Sequence, residues 1–163
     1  MPPSADKVVV SDCWPLIALR RLDLLALLPA LFAQVQVPQQ VLDECLARPA
    51  NADAVRIQAA LAQGWLTPCT ATPIARPGLD LCERAAIARA LEISAGLLAD
   101  DLGARQHAAA LGLTVIGTLG VLVLAKRAGL AYSELIDELG RRGIATIRLQ
   151  PGELEHELAS FGR

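Results

Sequence analysis

Short apolar runs alternate along this chain with longer stretches whose apolar residues recur every three or four positions. Such switching marks βα units wrapped around a parallel sheet. The short runs predict strands at Lys7 to Ser11, Gln34 to Val37, Gly96 to Ala99, Thr114 to Ile116 and Ala145 to Leu149. The longer ones predict helices at Pro15 to Leu28, Pro38 to Ala47, Ala52 to Gln63, Leu81 to Ile93, Leu102 to Leu111, Leu119 to Ala128, Tyr132 to Arg142 and Gly152 to Ser160. Pro38 suits a first helical turn, and Gly112, Gly129 and Gly143 follow helical runs as C-terminal caps do. Three prolines and a glycine between Leu66 and Leu79 predict an irregular loop.

Two of the strand runs end in acids, the first at Asp12 and another at the pair Asp100 and Asp101. Open α/β sheets keep their sites at that carboxyl edge. A carboxylate entering a half-buried position costs free energy unless it is paired or meets a cation, which makes Asp12 the strongest single candidate. Glu44, in VLDECL, and Glu83, in LCERAA, are two further signals. Ordinary structural roles compete for most of them. Glu44 is expected in the first turns of a helix begun by Pro38, where its charge suits the macrodipole. Asp80 and Glu83 have capping-box spacing, and Asp101 is a natural N-cap. If the fold gathers them, these acids make a carboxylate cup suited to Mg²⁺ or Mn²⁺.

At 163 residues the chain is one domain long, so residues 1–163 are expected to form a single unit. Hydrophobic residues make up 53% of it and aromatics only 3%, with a mean hydropathy of +0.41. That richness predicts an apolar surface that pairs with a partner, and the run Leu16 to Leu28 suggests homo-oligomer assembly. It does not predict a membrane span, because Arg20, Arg21, Asp23 and Pro29 interrupt the longest apolar stretch. Met1 to Lys7 lacks the basic and long apolar regions of a secretory signal, so a cytoplasmic location is expected.

Cys13, Cys45, Cys69 and Cys82 are too widely spaced for a close-paired zinc site and are expected to be buried free thiols. A net charge of −2 leaves no global electrostatic footprint for nucleic acid. Such a partner must be held locally, by metal or by a small basic patch such as Arg20/Arg21, Lys126/Arg127 or Arg141/Arg142. Arg105, one helical turn past Asp101, has a fork that could steady a phosphate. Neither His107 nor His156 has a recognisable nucleophile beside it, which argues against a triad hydrolase. Phosphoacceptor receiver domains end their first strand in the acidic pair, whereas here the pair comes near residue 100.

The segments VVVSDCWPLIALRRLDLL, VQVPQQVLDECL and LCERAAIARALEISAGLLADDLGARQHAAALGLTVIGTLGVLVLAKRAGL occur in this order and cover nearly the whole chain. Together they resemble the PIN-domain superfamily, in the branch with an Asp-Asp pair and a Gly-Thr-Leu-Gly segment. The resemblance implies a three-layer α/β/α fold with a central, mostly parallel sheet of about five strands. It also implies a Mg²⁺- or Mn²⁺-dependent ribonuclease acting on single-stranded RNA, often the toxin neutralised by a small antitoxin protein. Position by position, it assigns Asp12, Glu44, Glu83 and Asp101 as the catalytic and metal-binding acids. Asp100 joins them at the rim, and Thr118 is a hydroxyl that orients a water or phosphate oxygen. Trp14 departs from the pattern, which has a small hydroxyl or amide residue there. That departure keeps open a PIN-fold interaction module without activity.

Overall fold

The computed structural model describes residues 7–129. Among these residues five parallel strands form the centre: β1 (Val8–Ser11), β2 (Gln34–Pro38), β3 (Thr67–Cys69), β4 (Gly96–Leu98) and β5 (Val115–Ile116), in the order β3-β2-β1-β4-β5. The helices are α1 (Cys13–Arg21), α2 (Leu27–Leu31), α3 (Gln39–Cys45), α4 (Ala52–Ala62), α5 (Leu81–Ile93), α6 (Leu102–Ala110) and α7 (Thr118–Arg127). Successive residues of a strand point to opposite faces, so a strand covered on both sides must be apolar throughout. This is why β1 reads Val-Val-Val. Val9 enters the core built by α1, α2, α3, α4 and α7, whereas Val10 enters the core built by α5 and α6. Leu98 and Leu97 of β4 divide in the same way, which completes a three-layer α/β/α sandwich.

The chain builds outward from β1 through β2 to β3, then crosses to the other side of β1 for β4 and β5. The crossing creates a topological switch point, and a crevice at the carboxyl ends is its usual consequence. Register places Ser11 beside Leu98, so Asp12 and the residues after Leu98 emerge at the same edge. The Asp12 N–H donates to the Leu98 carbonyl at 2.9 Å, extending the pairing up to the acid itself.

Three expectations need correction. The helix expected over Pro15 to Leu28 is two helices. α1 stops at Arg21, Asp23 takes a left-handed conformation with φ 57°, and α2 starts at Leu27. Leu16, Leu19, Leu24, Leu25, Leu27 and Leu28 are all buried in the chain's own core, so they offer no free face for assembly. The loop expected between Leu66 and Leu79 contains β3, whose Pro68 lacks a donor and is tolerated because the strand lies at the sheet edge. The helix begun near Pro38 ends at Cys45, which moves Glu44 from the expected first turns to the last.

Gly112 and Gly129 have φ of 86° and 72° just past α6 and α7, as their cap positions require. No helix among the described residues is long and apolar enough to cross a membrane. The elements expected over 132–142, 145–149 and 152–160, together with Gly143, Arg141, Arg142 and His156, lie outside the described residues.

Candidate metal and nucleic-acid site

Asp12 sits at the junction of β1 and α1 and is only 3% exposed. Its side chain makes no N-cap hydrogen bond to α1, and its Oδ1 is buried without a hydrogen-bond partner. Burial pushes its carboxyl from the ordinary 3.8 up to about 7, the charges of Asp80, Glu83 and Glu44 push the same way, and the Cys13 backbone N–H opposes them. An unsatisfied buried carboxylate oxygen facing three other acids costs stability and does not help fold the domain. A proton or a cation bound there relieves that cost.

Glu44 is exposed in the last turn of α3. The helix dipole disfavours a negative charge there, so the dipole explanation expected from the sequence does not hold. Its Oε2 accepts from the Cys82 thiol at 2.8 Å. Burial first, then the hydrogen bond to Glu44 and its charge, hold that thiol well above its usual range and so keep it a donor.

Glu83 forms the capping box its spacing predicts. Its N–H donates to Asp80 Oδ1 at 2.8 Å and its Oε2 accepts from the Asp80 N–H at 2.9 Å. The role is nevertheless incomplete as an explanation. Burial raises the Glu83 carboxyl, and the charges of Asp80, Asp101 and Glu44 raise it further against the Asp80 backbone bond. Asp80 is thus a member of the acidic group that sequence reasoning recognised only as a cap. The available signal was its place three residues before Glu83.

Asp101 is exposed at the N-cap of α6, where its Oδ2 accepts from the Ala104 N–H at 2.9 Å. Asp100 turns to α7 instead. Its Oδ1 accepts from the Thr118 N–H at 2.7 Å and its Oδ2 from the buried Thr118 hydroxyl. Arg105 lies one turn along α6, its N–H bonded to the Asp101 carbonyl. Arg20 and Arg21 are both drawn to Asp53, at 3.3 and 3.4 Å.

A cleft of about 370 Å³ is lined by Asp12, Glu44 and Asp80 together with Cys13, Trp14 and Arg48. Trp14 does not turn into the core and is 51% exposed. Arg48 is exposed and forms no ion pair among the described residues. A larger cavity of about 740 Å³ opens at the amino ends of the strands, near Lys7, Gly96 and Thr114, and no carboxylate lines it among the described residues.

The donor chemistry fits a hard divalent cation, since every acid of the group offers oxygen and one of those oxygens is buried and unpartnered. Among the described residues no three His, Cys, Asp or Glu side chains converge tightly enough to hold an ion as placed. The local bonds account for that spread: Glu44 leans to Cys82, Glu83 to the Asp80 backbone, Asp101 to α6 and Asp100 to Thr118.

Fold and site together define a parallel α/β domain with an acidic crevice at its switch point. A family model described as "DUF3368: PIN domain" matches residues 8–163, and the chain belongs to this family. PIN domains generally have nuclease activity on nucleic acids and typically use divalent metals. A solved PilT N-terminus domain protein, SSO1118 of Sulfolobus solfataricus P2, is similar in fold. Its TM-score is 0.58 at 19% identity, over 71% of this chain and 91% of that one. A search of curated proteins gave no match.

Proposed function

We propose that the chain is a Mg²⁺- or Mn²⁺-dependent endoribonuclease acting on single-stranded RNA, and the toxin of a pair in which a small antitoxin covers the acidic crevice. The observation that carries the reading is Asp12, a buried carboxylate with an unpartnered oxygen beside Glu44, Asp80 and Glu83. A divalent cation bound there would supply positive charge that polarises the phosphodiester and assists attack by water. Asp12, Glu44, Glu83 and Asp101 would hold it once side-chain movement brings them closer together, with Asp80 lining the cleft. Asp100 and Thr118 form a bonded pair that fixes the β4 end relative to α7, and Arg105 lies on the helix that follows Asp101.

Trp14 and Arg48 support a nucleic-acid substrate. An exposed aromatic face beside the acids stacks a splayed base, as single strands allow and duplexes do not, and the Arg48 fork suits a phosphate oxygen. Trp14→Ala is expected to weaken binding of a short single-stranded RNA by about 5- to 150-fold, the equivalent of one stacked base. Trp14→Phe is expected to retain most of it, with fluorescence anisotropy as the measurement. An unchanged affinity in Trp14→Ala would remove Trp14 from the substrate site. Leu81 and Leu102 are also exposed, each directly after an acid of the group, and an apolar rim of this kind suits a protein cover.

Spread acids favour a second reading, a PIN-fold interaction module without catalysis. Calorimetric titration of Mn²⁺ separates the two. The nuclease reading expects saturable binding that Asp12→Asn removes. Equal heats from wild type and Asp12→Asn would favour the interaction module.

A further inference from the structure

Three of the four cysteines adjoin the acids: Cys13 follows Asp12, Cys45 follows Glu44 and Cys82 precedes Glu83. The fold turns two of these neighbours into a pair. Cys13 opens α1 and Cys45 closes α3, 32 positions apart in sequence, and their sulfurs lie 2.9 Å from one another. A disulfide needs about 2.05 Å, so closure requires the sulfurs to approach by less than 1 Å, roughly the displacement a small change in χ1 gives. Both are almost covered, 6% and 8% exposed, yet both line the acidic cleft. A small oxidant therefore reaches them where a protein thiol does not.

We propose that Cys13 and Cys45 are a reversible dithiol pair that a hydroperoxide oxidises to a disulfide within the acidic cleft. The Cys45 sulfur attacks a peroxide oxygen and its proton ends on the departing oxygen, while the Cys13 thiol, kept protonated by its bond to Cys45 and by burial, reacts second. The O–O bond breaks, and the alcohol (water, for hydrogen peroxide) leaves with a proton. The resulting sulfenic acid is attacked by the second sulfur, its S–O bond breaks and water leaves with the second thiol's proton. Two thiols lose two electrons and the peroxide gains them. The new bond ties the start of α1 to the end of α3. Asp12 and Glu44 stand directly before its two sulfurs, so closure fixes the spacing between these acids. Formation of the bond does not depend on the nuclease reading.

The test uses the full chain, as wild type and as Cys69→Ser/Cys82→Ser, each treated with hydrogen peroxide or held reduced. Trypsin cuts at Arg20 and Arg21, between the two cysteines. The expected result is a monomer lighter by two hydrogens, a non-reducing digest in which the Cys13 and Cys45 peptides are joined, and reversal by dithiothreitol. Closing the loop constrains the unfolded chain, so the oxidised protein is expected to melt roughly 10 °C above the reduced one. Adding Cys45→Ser abolishes both effects. Sulfinic acid on either cysteine without linkage, a joint between Cys82 and Cys45 in the wild type, or disulfide-linked dimers alone would each overturn the proposal.

Discussion

Asp12→Asn is expected to make the metal-free protein more stable above pH 7. The Asp12 carboxyl takes up its proton at about 7 in the folded chain, against 3.8 ordinarily, chiefly because it is buried. The folded state therefore binds more protons than the unfolded state between these values, and stability falls as pH rises through that window. Below about pH 4 the contribution is fully present, and above about pH 7 it is gone. A rise of that size is equivalent to about 4 kcal/mol. Asparagine cannot ionise and escapes the loss, apart from what its own amide pays to stay buried. In EDTA, the melting temperature of wild type is expected to drop between pH 4 and 7.5. That of Asp12→Asn should fall less steeply and lie roughly 5 to 10 °C higher at pH 7.5. A residual slope belongs to Glu83, which is raised in the same direction. Parallel curves for the two proteins would show that Asp12 is not held protonated by burial. On the proposed reading, Asp12 weakens the fold in the usual trade between stability and activity.

The adjacent aspartates are expected to separate in their effects. Asp100 satisfies both the N–H and the hydroxyl of Thr118, and Gly117 at the N-cap of α7 offers no side chain to replace it. Asp100→Ala therefore strands two donors, one of them on a buried side chain, at a cost of about 2 to 3 kcal/mol. Asp100→Asn keeps an acceptor for the backbone donor and recovers part of that cost. Asp101 is exposed and caps one N–H of α6, so Asp101→Ala costs about 1 kcal/mol. Urea denaturation of the three variants measures this ordering. Equal losses at the two positions would remove the distinction between a framework acid and a site acid.

Legibility in the sequence followed how locally each feature is specified. Val8, Val9 and Val10 ending in Asp12, and the run ending in Asp100, mark strand ends and carboxyl-edge acids without further information. The break between α1 and α2 left no trace, because leucines on both sides of Asp23 bury in one core and keep the helical period intact. Pro68 concealed β3, since only its edge position in the finished sheet makes a proline acceptable there. Asp80 was concealed by the completeness of its own capping box: a locally sufficient role gives no hint that the fold also brings it beside Asp12. Glu44 shows the converse. Its presumed dipole role depended on a helix running on to Ala47, and the helix that stops at Cys45 leaves its charge at the unfavourable end. The contact between Cys13 and Cys45 needed two helix ends to meet at the crevice, which no spacing encodes.

Incubation of the protein with single-stranded RNA, with Mn²⁺ or with EDTA, tests the central claim most directly. Cleavage fragments are expected from wild type with Mn²⁺, and only intact RNA with EDTA or with Asp12→Asn. Intact RNA in every lane, or fragments that persist in both EDTA and Asp12→Asn, would contradict a metal-dependent nuclease built on Asp12.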